Sequence, residues 1–110
     1  MKRIVNRQIL NPTTVTINGT VTDIVDCSAA GGVAVVCKIT PTAATGATVQ
    51  AQWSIDKITW NLIGSPTACT ANTTFGYFQD RPAFSYVQLI FAITGGSLAV
   101  ATTANVNQDT

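Results

Sequence analysis

The stretch Ala47-Thr48-Val49-Gln50-Ala51-Gln52-Trp53-Ser54-Ile55 alternates without a break: Val49, Ala51, Trp53 and Ile55 on one side, Gln50, Gln52 and Ser54 on the other. A period of two is that of a pleated strand with one face on a core. Asp56-Lys57 follows, and then Ile58, Trp60 and Leu62 again occupy every second position. A two-residue turn at Asp56-Lys57 predicts a hairpin in which Ile55 faces Ile58 and Trp53 faces Trp60. Both indoles of the chain then share one cluster. Asp56, in the turn, has a side chain suited to capping backbone N–H groups.

Outward from this hairpin the same reading continues in both directions. Upstream, Val33-Ala34-Val35-Val36-Cys37 is a continuous apolar run inside residues 32–40, the pattern of a central strand. Residues 13–17 and 20–28 read as two strands joined by Asn18-Gly19, the strongest short hairpin signal, and Ala29-Ala30-Gly31-Gly32 turns the chain again. Downstream of Gly64-Ser65-Pro66, residues 67–75 are polar and partly extended, and residues 76–82 read as a loop with aromatic anchors. Residues 83–93 form the longest strand, apolar on both faces and therefore central or covered. Gly95-Gly96 turns into a last strand, 97–103.

Thirty-nine of the 110 residues are Thr, Val or Ile. These β-branched side chains pack well on a pleated surface, and no segment carries a helical stripe. About eight short strands that must bury two indoles predict an all-β fold: an antiparallel two-sheet sandwich, jelly-roll-like. The expected organisation is an N-terminal arm over 1–12, the sandwich over 13–104 and a polar C-terminal tail over 105–110.

Composition excludes several functions. Six basic and five acidic residues make 10% of the chain, where a soluble domain usually carries about 25%. The chain is 46% hydrophobic, so it is not of the disordered class, yet it holds no run of ~20 apolar residues to span a bilayer. The basic start Met1-Lys2-Arg3-Ile4-Val5-Asn6-Arg7 lacks the apolar segment of a secretory signal. A net charge of +1 gives no footprint for nucleic acid.

His and Glu are absent. No Ser-His or Cys-His pair can form, and no imidazole can hold a metal. Asp23 and Asp26, three apart on a strand, face opposite sides. No catalytic, cofactor or metal residues are expected, and the chain reads as a structural or binding protein. Cys27, Cys37 and Cys69 form no CxxC. A Cys27–Cys37 bridge across the turn between them and three buried free thiols are both open readings.

Two stretches are candidate contact surfaces. Lys2, Arg3, Ile4, Val5 and Arg7 combine half of the basic residues with apolar ones in an arm that could lie across a partner, or simply form a solvated terminus. Tyr77 and Phe78 are either exposed aromatic contacts or plugs for one end of the sandwich.

Two segments together resemble a known group. Gln52-Trp53-Ser54-Ile55-Asp56-Lys57-Ile58-Thr59-Trp60-Asn61-Leu62-Ile63 resembles a strand, Ser-x-Asp turn and Thr-Trp pair before a short apolar strand. Pro82-Ala83-Phe84-Ser85-Tyr86-Val87-Gln88-Leu89-Ile90-Phe91-Ala92-Ile93-Thr94-Gly95-Gly96-Ser97-Leu98-Ala99-Val100 resembles the matching closing pair of strands. The pattern is similar to small β-sandwich virion proteins of tailed bacteriophages, including capsid decoration (cement) proteins, and a related one occurs in discoidin-like carbohydrate-binding domains.

The resemblance implies a protein made in the host cytoplasm and carried on the capsid exterior. It would be a homo-oligomer, trimer or dimer, that clamps neighbouring major capsid subunits without nucleic acid or membrane. A carbohydrate-binding module of a tail or fibre, and a tail or neck subunit, are the alternatives it leaves. Lys57 stands where the group has a turn Gly, and Gln88 where Arg is common, so no Arg-based contact carries over.

Overall fold

The computed structural model describes residues 2–9, 13–27, 31–80 and 82–109. Among them are ten strands: β1 (Lys2–Ile9), β2 (Thr13–Val15), β3 (Thr20–Val21), β4 (Val25–Asp26), β5 (Gly32–Thr45), β6 (Thr48–Ser54), β7 (Asn61–Ala68), β8 (Thr73–Asp80), β9 (Tyr86–Ala92) and β10 (Gly95–Asp109). Every pairing is antiparallel. The first sheet runs β1-β10-β5-β8 with β2 also on β10; the second runs β3-β9-β6-β7 with β4 also on β9.

The fold is the two-sheet sandwich that the strand pattern predicts. β1 and β2 lie end to end along β10, and β3 and β4 end to end along β9. Counted as two interrupted strands, they reduce ten to eight, and the order is that of a jelly roll. The interruption between β3 and β4 has a visible cause. Leu89 N donates to the Thr22 hydroxyl at 3.0 Å, so a side-chain oxygen takes the place of a ladder carbonyl.

Inward-facing residues form one core. Val33, Val35, Cys37 and Ile39 of β5, with Leu98, Val100, Ala104 and Val106 of β10, meet Val49 and Ala51 of β6 and Val87, Leu89 and Phe91 of β9. β5 and β9 are central strands, as their apolar runs predict. The longest strand is β10, 15 residues against 7 for β9. At ~3.3–3.4 Å per residue a strand of that length is enough to run the whole 45 Å long axis.

The turns differ from the sequence reading, for one reason. In this topology consecutive strands mostly lie in different sheets, so a turn that looks like a hairpin carries the chain across the sandwich instead. Asn18-Gly19 is a genuine turn, with Gly19 at φ +89° and Thr20 N donating to Ile17 O at 3.3 Å. Yet β2 pairs with β10 and β3 with β9, so no hairpin forms there. The Gly95-Gly96 corner likewise links β9 of one sheet to β10 of the other.

The β6–β7 connection does stay within one sheet, but it is not a two-residue turn. β6 ends at Ser54 and β7 begins at Asn61, so Trp53 pairs with Asn61, not with Trp60. Ile55 and Ile58 are 66% and 83% exposed. Residues 76–80, read as a loop, belong to β8. The arm and tail boundaries do not break the sheet either. Lys2–Ile9 is strand β1, paired with 103–109 of β10, and residues 1, 10–12 and 110 lie outside the described residues.

Candidate interaction surfaces

Tyr77 and Phe78 sit next to each other on β8, so they face opposite ways. Tyr77 points inward, packs half-buried on the core and donates to Gln79 Oε1 at 3.3 Å. Burial raises its phenol pKa. Phe78 points outward and is 69% exposed. A Cβ at Gly76 would lie 3.1 Å from Phe78 Cε2, so the ring lies over Gly76, against the outer face of the first sheet. Another aromatic, Phe84, also packs half-buried against the core and stacks on Trp53 with centroids 5.9 Å apart. Its position beside Pro82 and ahead of the strand is the signal that sequence reading could have used.

The arm residues Lys2, Arg3, Ile4, Val5 and Arg7 are all on β1, an edge strand. Their backbone lines the 105–109 end of β10, with Arg7 paired to Asn105 and Lys2 to Asp109. A contact made there would come from a sheet edge.

The β6–β7 loop is built from side-chain caps. Ser54 Oγ donates to Asp56 Oδ1 at 3.0 Å and accepts from Lys57 N at 2.9 Å. Asp56 Oδ1 also accepts from Ile58 N at 2.8 Å and Thr59 N at 2.9 Å. These backbone donors, Thr59 foremost, hold the Asp56 carboxyl below its ordinary pKa of 3.8. Asp56 thus caps the turn as its sequence position predicts. Lys57 adopts φ +66°, the left-handed conformation that favours Gly, and its Nζ sits 4.8 Å from the Tyr86 ring centroid. The Ser54–Asp56 pair caps the backbone of this loop.

On the outer face of the second sheet, Gln52, Gln88 and Gln50 are buried although the alternation marks Gln50 and Gln52 as outward-facing. Gln50 Nε2 donates to Gly64 O at 2.7 Å, where β7 bulges. Beside it an apolar depression of about 270 Å³ lies between Leu62, Pro66, Ile90 and the Asn18-Gly19 turn. Among the described residues no charged side chain lines it.

The three cysteines are buried free thiols, without a Cys27–Cys37 bridge. Burial raises the pKa of each, with Cys27 pushed up to about 11, helped by the Asp26 carboxylate. Among the described residues, no group of three or more Cys, Asp, Glu or His could hold a metal ion, and no helix is long and apolar enough to cross a membrane.

No protein-family model matches the chain, and no curated protein matches it.

Proposed function

We propose that this chain is a structural protein of a tailed-bacteriophage virion, a capsid decoration protein that binds across neighbouring major capsid subunits from outside. It acts as a homo-oligomer and does no catalysis. The observation that carries the reading is the surface. Among the described residues seven large apolar side chains, Ile17, Val21, Ile24, Ile55, Ile58, Leu62 and Phe78, are exposed, on a chain with only six basic and five acidic residues. Such a surface favours association over free solution. The strand β1, with Lys2, Arg3 and Arg7 in its sequence, adds a basic edge strand that could take part in grip. A sugar platform has less support, because Tyr77 and Phe78 do not share a face.

Co-sedimentation with expanded, undecorated capsids tests this reading. Saturable binding, together with a higher melting temperature for the capsids, is the expected result. Lys2→Glu/Arg3→Glu/Arg7→Glu, which keeps strand β1 in the sheet, should weaken attachment while circular dichroism still reports the β-sandwich. Absence of binding, or labelling of purified particles only at the tail or neck, would overturn the capsid assignment.

A further inference from the structure

An open sheet edge presents unpaired backbone groups, and folded proteins blunt such edges with charge, proline, bulges or brevity. Three of the four edges here are blunted. β7 carries Pro66 and is bulged opposite Gln50. β3 and β4 are two residues each and are separated at Thr22. β1 carries Lys2, Arg3 and Arg7 and shifts register between Ile4 and Asn6.

β8 has none of these devices. Its eight residues pair with β5 from Ile39↔Thr73 to Gly32↔Asp80 without a register shift. It contains no proline, and its one charged residue is Asp80, at the last position. Among the described residues no strand pairs with its other side. It is also the strand that carries the exposed ring of Phe78.

We infer that β8 pairs antiparallel with β8 of a second copy, so that the two first sheets run on as one across a two-fold axis. This deepens the self-association in the reading above and rests on that reading for nothing else; its test contains no capsid, so either can fail alone. A strand identical to its partner offers self-complementary backbone groups, and a two-fold axis closes the assembly at two copies.

Symmetry narrows the register. A two-fold axis normal to the sheet keeps the outer faces on the same side, so paired residues must be both even or both odd. With Tyr77 opposite its own copy, Phe78 lies opposite the partner's Gly76. The ring that covers Gly76 within one chain can then also cover the bare glycine of the other. With Gly76 opposite itself, two bare positions would meet and Phe78 would face Thr74. The Tyr77-centred register therefore buries more of the ring than the Gly76-centred one.

Sedimentation velocity and light scattering over a wide concentration range should give twice the chain mass. Hydrogen exchange on the native protein should show concentration-dependent protection confined to residues 73–80. Phe78→Lys sets two like charges close together across the axis and should raise the dimer dissociation constant by about tenfold or more. Thr67→Lys, on the edge strand β7 of the other sheet, should leave it unchanged. Oxidation of the Gly76→Cys/Phe78→Cys double variant should join position 76 of one copy to position 78 of the other. A monomer at all concentrations, a trimer, protection at β1 or β7 instead of β8, or indifference to Phe78→Lys would each overturn the inference. So would failure of the double variant to form that cross-link.

Discussion

Gln88 Nε2 donates to Gln52 Oε1 at 2.9 Å, joining β9 to β6 through side chains at a register pair already joined by backbone. Both residues are under a tenth exposed although they lie on the outer side of their sheet. Water cannot replace the bond freely, so truncating one partner strands the other. Gln88→Leu should cost about 1–3 kcal/mol, whereas Gln52→Leu/Gln88→Leu should cost less than the two single changes added together. Urea titration of the four proteins measures this coupling, and additive costs would show that the pair is solvated.

The apolar positions divide sharply in what they contribute. Phe91 is 1% exposed at the centre of the core, and Ile58 stands at 83% on the β6–β7 loop. Phe91→Ala should lose about 3–5 kcal/mol, a large part of the total stability of a domain this size. Ile58→Ala should stay within about 0.5 kcal/mol, because no packed contact is removed. Equal losses at the two sites, read from denaturant midpoints, would contradict this division.

Fold class was legible because alternation is a local property. Val49, Ala51 and Trp53 face inward as their spacing requires, and the apolar runs of β5 and β9 mark central strands. Connectivity was not legible, because Asn18-Gly19 reverses the chain in the same way whether the next strand pairs beside the last or on the opposite sheet. Trp53 and Trp60 were expected to meet because Asp56-Lys57 resembles a two-residue turn. The Ser54 and Asp56 side chains instead bind four backbone N–H groups and hold a longer loop open. Of the contact residues, Phe78 is exposed and Tyr77 is not, which followed from strand parity once residues 76–80 proved to be extended.

Two glycines with positive φ should respond differently to a side chain. Gly19, at φ +89°, has open space around it, so Gly19→Ala meets only the backbone cost of a left-handed residue, about 1–2 kcal/mol. Gly96, at φ +74°, would also drive its Cβ into the Ala43 carbonyl, at the irregularity where β10 meets β5. Gly96→Ala should therefore cost more than Gly19→Ala in thermal unfolding. The reverse order would mean that the β10–β5 corner yields easily.

Asp56 makes stability depend on acid pH. Its carboxyl is held below its ordinary pKa of 3.8 by backbone donors that exist only in the folded loop. The carboxylate's contribution is complete above that value and is lost as pH falls through the lowered one. Asp56→Ala should melt at a lower temperature than the parent at pH 7, and the gap should close as the solution is acidified. A gap independent of pH would place the effect in the side chain's shape instead of its charge.

The thiols should be silent until the sandwich opens. Thiolate is the reactive form, and Cys27, with a pKa near 11, holds about a thousandth of it at pH 8. Burial also shields Cys37 and Cys69, whose pKa values are raised for the same reason. A thiol reagent should therefore find no fast-reacting group in native protein and three in urea. The same shift predicts alkaline destabilisation. Unfolded cysteines lose their protons near the ordinary pKa of 9.0 while the folded ones keep them, so stability should fall as pH rises from about 9 toward 11. One thiol that labels rapidly in the native state, or unchanged stability across that alkaline interval, would show that the core around Cys27 admits solvent.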